Sequence, residues 1–252
     1  MNRISRRKWI ATGLSATAGI AGLGAAAKLA QKYGLIPPDH GGLYGPGETL
    51  TYAAMRVLTK HSMAREFSRD QISKRPFPNE LAPFSEEFKR QQAAKFTEWR
   101  LAVDGMVTRP ASFSVDQLKG YPAHSQITEI ACEEGWSYIA EWNGVRLSHV
   151  LDMVGVLPQA KYVVYRSIET DWWDSLDMAE ALHPQTFITY GMNGDELPVA
   201  NGGPLRMRVP RQLGYKNVKF LTRLTVTDDL KKFGKGLGSA SPEAGYAWYA
   251  GI

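Results

Sequence analysis

From Thr97 onward the apolar residues fall into short runs of period two, and turn signals close nearly every run. This constrains the fold more than any other feature, because an alternating run buries one face only as a strand. Trp99, Leu101 and Val103 share a face before Asp104-Gly105 turns the chain. Residues 126–131, 161–168 and 186–192 read as strands, the last running into the hairpin pair Asn193-Gly194. Leu205, Met207 and Val209 alternate with Arg206 and Arg208, and 217–227 reads as a final strand. Helical spacing is confined to 51–65, a polar stretch at 85–95, a capped turn at Ser114–Leu118, and 147–155. Strands with few, scattered short helices and no repeat predict an α+β fold built on mixed sheets.

The ends read differently. Residues 34–50 are too rich in Gly and Pro for continuous regular structure. The tail beyond Phe233 is Gly-rich, yet Tyr246, Trp248 and Tyr249 are expected to dock on the body. Residues 1–27 carry Arg3, Arg6, Arg7 and Lys8, no acidic residue, and then a weakly apolar stretch. That order is an export signal of twin-arginine type, with Ala25 and Ala27 offering a cleavage site. An N-terminal membrane anchor is the rival reading, but the glycines within 9–27 make it a poor match to lipid. The expected organisation is therefore a signal at 1–27, an arm with linker helices at 28–96, and a body at 97–252 onto which 68–96 can pack. A periplasmic or otherwise exported location follows from the signal.

The chain has 30 Lys and Arg against 25 Asp and Glu. Without the leader's four, 26 basic residues remain against 25 acidic ones. The basic balance thus belongs mostly to the leader, and no aromatic ladder interleaves with the remaining charges, so nucleic acid is not expected as a partner. One cysteine, Cys132, excludes an intramolecular disulfide and any CxxC metal site. It follows a strand-like run and precedes Glu133-Glu134-Gly135-Trp136. A thiol at a strand end is well placed to be aimed as a ligand; a buried small hydrophobe is the alternative. Arg206 and Arg208 likewise read either as a solvated basic face or as anion ligands.

Several ordered segments bear on these alternatives: Cys132–Ser137, Trp142–Leu147, His183-Pro184-Gln185-Thr186, Met192–Pro198, Asn201–Arg206 and Asn217–Leu221. Together they resemble the molybdenum domain of the sulfite oxidase family, in particular its exported bacterial branch of methionine-sulfoxide-reductase type. The resemblance implies a sulfite-oxidase-type molybdopterin-binding domain in which Cys132 ligates molybdenum. It implies that Asn201, Arg206, Asn217, Val218 and Lys219 contact the pterin and its phosphate, with Asn79 and Ser167 adding contacts. A soft thiolate suits a metal that changes oxidation state during oxygen-atom transfer, and the pterin dithiolene supplies further sulfur, so one cysteine suffices.

The sequence also departs from that family. Ser137 stands where sulfite oxidases carry an arginine suited to an oxyanion, Trp172 or Trp173 falls near their active-site tyrosine, and Asn201 replaces a histidine. Trp136, Trp172 and Trp173 can line a pocket for a thioether-like group or belong to the core, and Trp172 and Trp173 are taken as candidate catalytic residues. Ser137 and Asn201 resemble the reductase branch, so the expected activity is oxygen-atom transfer from an S-oxide, small or within an oxidised protein. A sulfite-oxidase-like dehydrogenase and a non-catalytic exported binding module are the alternatives. Past Thr227 a dimerisation domain of the sulfite oxidase kind is not expected, and no CxxCH haem motif occurs in the sequence. Electrons are expected to pass through a separate redox partner, which the resemblance makes a haem-bearing membrane protein.

Overall fold

The computed structural model describes residues 28–252 apart from 31, 43, 80, 81 and 170. The expected export signal, and its rival anchor, lie outside the described residues. Within them no helix is long and apolar enough to cross a membrane.

Helices α1 (Gly45–Leu58) and α2 (Glu86–Ala93) precede the first strand, and Ser85 Oγ caps α2 by accepting the Phe88 amide. One sheet contains β1 (Arg100–Gly105), β2 (Ala111–Ser114), β5 (Tyr162–Ser167), β6 (Trp173–Asp177) and β10 (Leu221–Thr227), in the order β2-β1-β10-β5-β6. Only the β1–β10 pairing is parallel. The other sheet orders β3 (Ala123–Ala131), β4 (Ser137–Arg146), β7 (Phe187–Met192) and β8 (Asp195–Glu196), with β9 (Arg206–Arg208) paired to β7. The expected α+β class with mixed sheets is what the chain adopts.

The main core lies where the sheets meet, since Leu101, Val103, Val163 and Leu224 of one share a cluster with Val145, Ile188 and Met207 of the other. The helix α3 (Leu147–Val154) covers that cluster with Leu147, Val150, Leu151 and Val154, and ends at Gly155 in the left-handed conformation. Along β4 the buried residues Tyr138, Ala140 and Trp142 alternate with exposed or half-buried ones and pack with Ile130 and Phe187 in a second cluster. A bulge between Asn143 and Gly144 lets β4 approach β7 so closely that a Cβ on Gly144 would stand 2.1 Å from the Ile188 carbonyl oxygen.

The arm is anchored to the body. Arg56 of α1 is buried in ion pairs with Asp177 and Glu180, and Tyr52 donates to Asp177 at 2.7 Å. Further on, the Phe67 and Ser73 amides donate to the carbonyls of Ile127 and Ile139, so this stretch runs against the second sheet. Trp248 and Tyr249 of the tail are buried beside Tyr52, whereas Tyr246 stays exposed. The last strand begins at Leu221 rather than at 217. Residues 214–216 form a 3-10 turn, and Asn217 is bonded to Arg206, Arg208 and Val209 instead of to a neighbouring strand.

Candidate active site

Cys132 directly follows β3 in a tight connection to β4, where its amide donates to the Trp136 carbonyl at 2.9 Å and its carbonyl accepts the Gly135 amide at 3.1 Å. The side chain is half-buried, and its S–H donates to Glu133 Oε2 at 3.0 Å. Burial, then Glu133 as acceptor with the negative charges of Glu133 and Glu134, push the thiol up to about 12. Unliganded, the sulfur therefore keeps its proton at neutral pH; a cationic centre would be needed to draw it off. Opposite Glu133, the backbone of Gly214 closes on the sulfur: a Cβ there would lie 3.1 Å from Cys132 Cβ and 3.2 Å from Sγ.

The sulfur faces a cavity of about 290 Å³. Its lining comes from the arm (Asn79), from the Cys132 loop (Glu133, Glu134, Trp136), from the 169–172 segment and the tail (Glu169, Trp172, Tyr246), and from residues 206–219 (Arg206, Gly214, Tyr215, Asn217, Lys219). The arm is part of this wall: Asn79 Nδ2 donates to Glu134 Oε2 at 2.9 Å, Trp136 Nε1 to the same oxygen at 2.7 Å, and Phe77 packs on Trp136.

Arg206 and Arg208 are both buried, at 3% and 0% exposure, which removes the solvated basic face from consideration. Arg206 Nε donates to the Asn217 carbonyl and Nη1 to the Asn201 carbonyl, each at 2.9 Å. Arg208 donates to Asn217 Oδ1, Thr128 Oγ1 and the Glu129 carbonyl, while its Nε has no partner. Neither forms an ion pair among the described residues. Burial and the charge of Arg206 pull Arg208 down to about 9, and burial lowers Arg206 too. Two adjacent buried guanidiniums without a carboxylate are costly, by several kcal/mol per ion. An anion at Arg206, which lines the cavity, would offset that cost.

Of the residues selected from sequence, Cys132, Asn79, Trp172, Arg206, Asn217 and Lys219 meet around this cavity. The other four do not line it. Trp173, taken as catalytic, opens β6 and is buried with Val164, Leu230 and Trp248, whereas Trp172, just before the strand, is 39% exposed. Val218 belongs to the main core. Ser167 ends β5, with its amide bonded to the Trp172 carbonyl and its Oγ accepting the Glu169 amide. Asn201 lies behind Arg206, its amide group donating to the Tyr138 hydroxyl at 3.2 Å. Lys219 differs from the expected point charge for phosphate: its ammonium donates to the carbonyls of Pro78, Asn79 and Ala200, so it ties the arm to the 198–202 loop. Asn217 spends its side chain on Arg208, Val209 and Leu213, and orients the arginines rather than reaching into the cavity. Sequence reasoning missed Gly214, Tyr215 and Tyr246, which arrive from more than 80 positions beyond Cys132 with no local pattern to mark them. Glu133 and Glu134 are marked only by adjacency.

Among the described residues no three His, Cys, Asp or Glu side chains are grouped to hold a metal by themselves. A metal at Cys132 thus needs most of its donors from a cofactor. One thiol facing a cavity whose wall contains a buried, anion-lacking guanidinium fits a sulfur-rich metal cofactor with a phosphate tail.

Comparison with known proteins points to the same class of cofactor. Residues 88–233 match the oxidoreductase molybdopterin binding domain family, over more than half of the chain, and the chain belongs to that family. It is 38% identical over 177 residues to a putative protein-methionine-sulfoxide reductase subunit YedZ1 from Azospira oryzae, covering 70% of this chain and 64% of that one. It is 34% identical over 157 residues to the protein-methionine-sulfoxide reductase catalytic subunit MsrP of Xanthomonas campestris, covering 56% and 49%. The chain therefore spans about half to two thirds of the length of these relatives. Among solved structures, the sulfane dehydrogenase SoxCD from Paracoccus pantotrophus shares the fold, with a TM-score of 0.51 and 24% identity over 53% of this chain and 39% of that one.

Proposed function

We propose that this chain is an exported molybdenum-dependent oxidoreductase that removes the oxygen atom from S-oxides, with methionine sulfoxide in oxidised proteins as its principal substrate. The observation that carries this reading is the meeting, in one cavity, of the Cys132 sulfur and the buried guanidinium of Arg206, which has no carboxylate partner among the described residues. The relatives' names, which specify methionine-sulfoxide reductase subunits, support the substrate. The basic-then-apolar leader supports twin-arginine export to the periplasm. Electrons come from a separate partner, a haem-bearing membrane protein, in line with the relatives being called subunits.

When bound, molybdopterin supplies a two-electron centre able to accept an oxygen atom. Cys132 provides the protein's thiolate to it, and Arg206 holds the phosphate, with Asn217 and Asn201 fixing the guanidinium. Glu133 Oε2, 3.0 Å from the sulfur, takes the thiol proton on ligation and passes it to solvent. Lys219 keeps the arm closed over the site through bonds to the carbonyls of Pro78, Asn79 and Ala200. Trp136, Trp172, Tyr215 and Tyr246 offer aromatic surface to a sulfoxide and to the thioether it becomes. The overall reaction converts S-oxide, two electrons and two protons to thioether and water. Glu133 and Glu134 put negative charge beside the sulfur, and Ser137 stands where sulfite oxidases carry an arginine, which together disfavour anionic sulfite.

Protein purified from a host that makes the cofactor should oxidise a reduced viologen dye when given oxidised calmodulin-like or casein substrates rich in methionine sulfoxide, and should return them to the reduced mass. Sulfite oxidation without any S-oxide reduction would overturn the proposal.

A further inference from the structure

The half-buried Cys132 sulfur meets a backbone element outside its own loop. Gly214 stands so close that its absent Cβ would lie 3.1 Å from Cys132 Cβ and 3.2 Å from Sγ, tighter than ordinary van der Waals contact. The Gly214–Lys216 turn has little room to retreat. Lys216 is fully buried, with its ammonium bonded to Asp174 and, at 2.7 Å, to the Ser175 carbonyl. Its own carbonyl accepts the Tyr165 hydroxyl at 2.9 Å. On the other flank, Asn217 Nδ2 and the Ala250 carbonyl bond to Leu213. The Cys132 backbone is equally fixed, by its amide bond to Trp136. Between these hydrogen-bonded backbones the Cys132 side-chain torsion is a soft coordinate.

We infer that Gly214 is a positioning residue for the cofactor thiolate: the buried Lys216–Asp174 pair presses the 214–216 turn against Cys132 and thereby selects the direction in which its sulfur enters the cavity. This rests on the reading of Cys132 as the ligand. It adds that the direction is imposed from a second element of the fold, at a position where an added side chain would crowd the Cys132 Cβ and sulfur by a few tenths of an ångström. The reactive sulfur then needs no reorientation when the cofactor is loaded.

The single cysteine makes the test direct, because protein labelled with 13Cβ-cysteine gives one resonance. In cofactor-free protein, Gly214→Ala is expected to shift that resonance or split it into two rotamer signals. In loaded protein the same change should alter the Mo(V) electron paramagnetic resonance signal and lower kcat about tenfold, as misplacement of a reacting group does, with KM little changed. Tyr165→Phe removes one tether of the turn, so the Gly214→Ala shift should be smaller in that background. Gly47→Ala, at a helical glycine with open space around it, should change none of these readouts. A folded Gly214→Ala protein with an unchanged cysteine resonance and an unchanged Mo(V) signal would overturn the inference. If Gly214→Ala fails to fold, Lys216→Met with Asp174→Leu loosens the same turn while removing both charges; an unmoved cysteine resonance there would also overturn it. Absence of molybdenum from wild-type protein would count against the ligand reading, while the cofactor-free resonance would still decide whether Gly214 orients the thiol.

Discussion

Replacing Arg206 by methionine separates a cofactor ligand from a structural cation. Methionine keeps most of the volume beside Trp142, whose ring lies 5.7 Å from the guanidinium carbon, but removes the charge and both carbonyl bonds. Leaving the Asn217 and Asn201 carbonyls without these donors costs about 1–3 kcal/mol each. Against that, a buried cation with no carboxylate partner disappears, a relief of several kcal/mol, and Arg208 loses the neighbour that helps depress it. The cofactor-free variant should therefore unfold within about 2 kcal/mol of wild type. Cofactor retention behaves differently, because a charge-assisted bond to phosphate is worth about 1.5–3 kcal/mol, or roughly tenfold to a hundredfold in affinity. Molybdenum by mass spectrometry and pterin fluorescence, measured after dialysis, should fall while the thermal transition of the cofactor-free form stays near its original place. Full loading after dialysis, with only substrate affinity altered, would refute the phosphate assignment.

Two other perturbations probe the scaffold. His183 is held down to about 4, by burial first and then by Arg211, against 6.5 when unfolded. As pH falls through that window the unfolded chain takes a proton that the folded one refuses. Stability is thus fully present above 6.5 and declines by up to about 3 kcal/mol toward pH 4. His183→Gln should flatten that slope in urea titrations, and an unchanged slope would count against it. Gly144→Ala would force a Cβ into the Ile188 carbonyl between paired strands, costing about 3 kcal/mol and lowering Tm by roughly 6–12 °C. A shift below 2 °C, on the order of 1 kcal/mol or less, would mean that the bulge yields.

The parts of this fold that could be read from sequence are those where one face is apolar and the other wet. The α3 stripe and the strand leading to Cys132 follow that rule, and the Ser114 cap is legible separately because its hydroxyl accepts the Gln117 amide. Strand β6 does not, because Asp174, Ser175 and Asp177 are buried there and satisfied by Lys216, Gly238 and Arg56, partners remote in sequence. The same limitation hid the burial of Arg206 and Arg208: their alternation with Leu205, Met207 and Val209 suggests a wet face, but β9 is buried on both sides. Cys132 was legible as a candidate because it is alone and ends a strand. Trp172 and Trp173 were indistinguishable by sequence, and only the strand geometry separates the cavity residue from the core residue. Lys219 shows a further limit, since the carbonyls that occupy it belong to the arm and a distant loop.

The central claim is that a bound molybdenum takes its protein sulfur from Cys132. X-ray absorption at the molybdenum edge, on wild-type protein and on Cys132→Ser loaded in the same host, measures this most directly. Loss of one sulfur scatterer in the variant, with the remaining sulfurs retained in whatever fraction stays loaded, is the expected result. An identical sulfur shell in the two proteins would contradict the account.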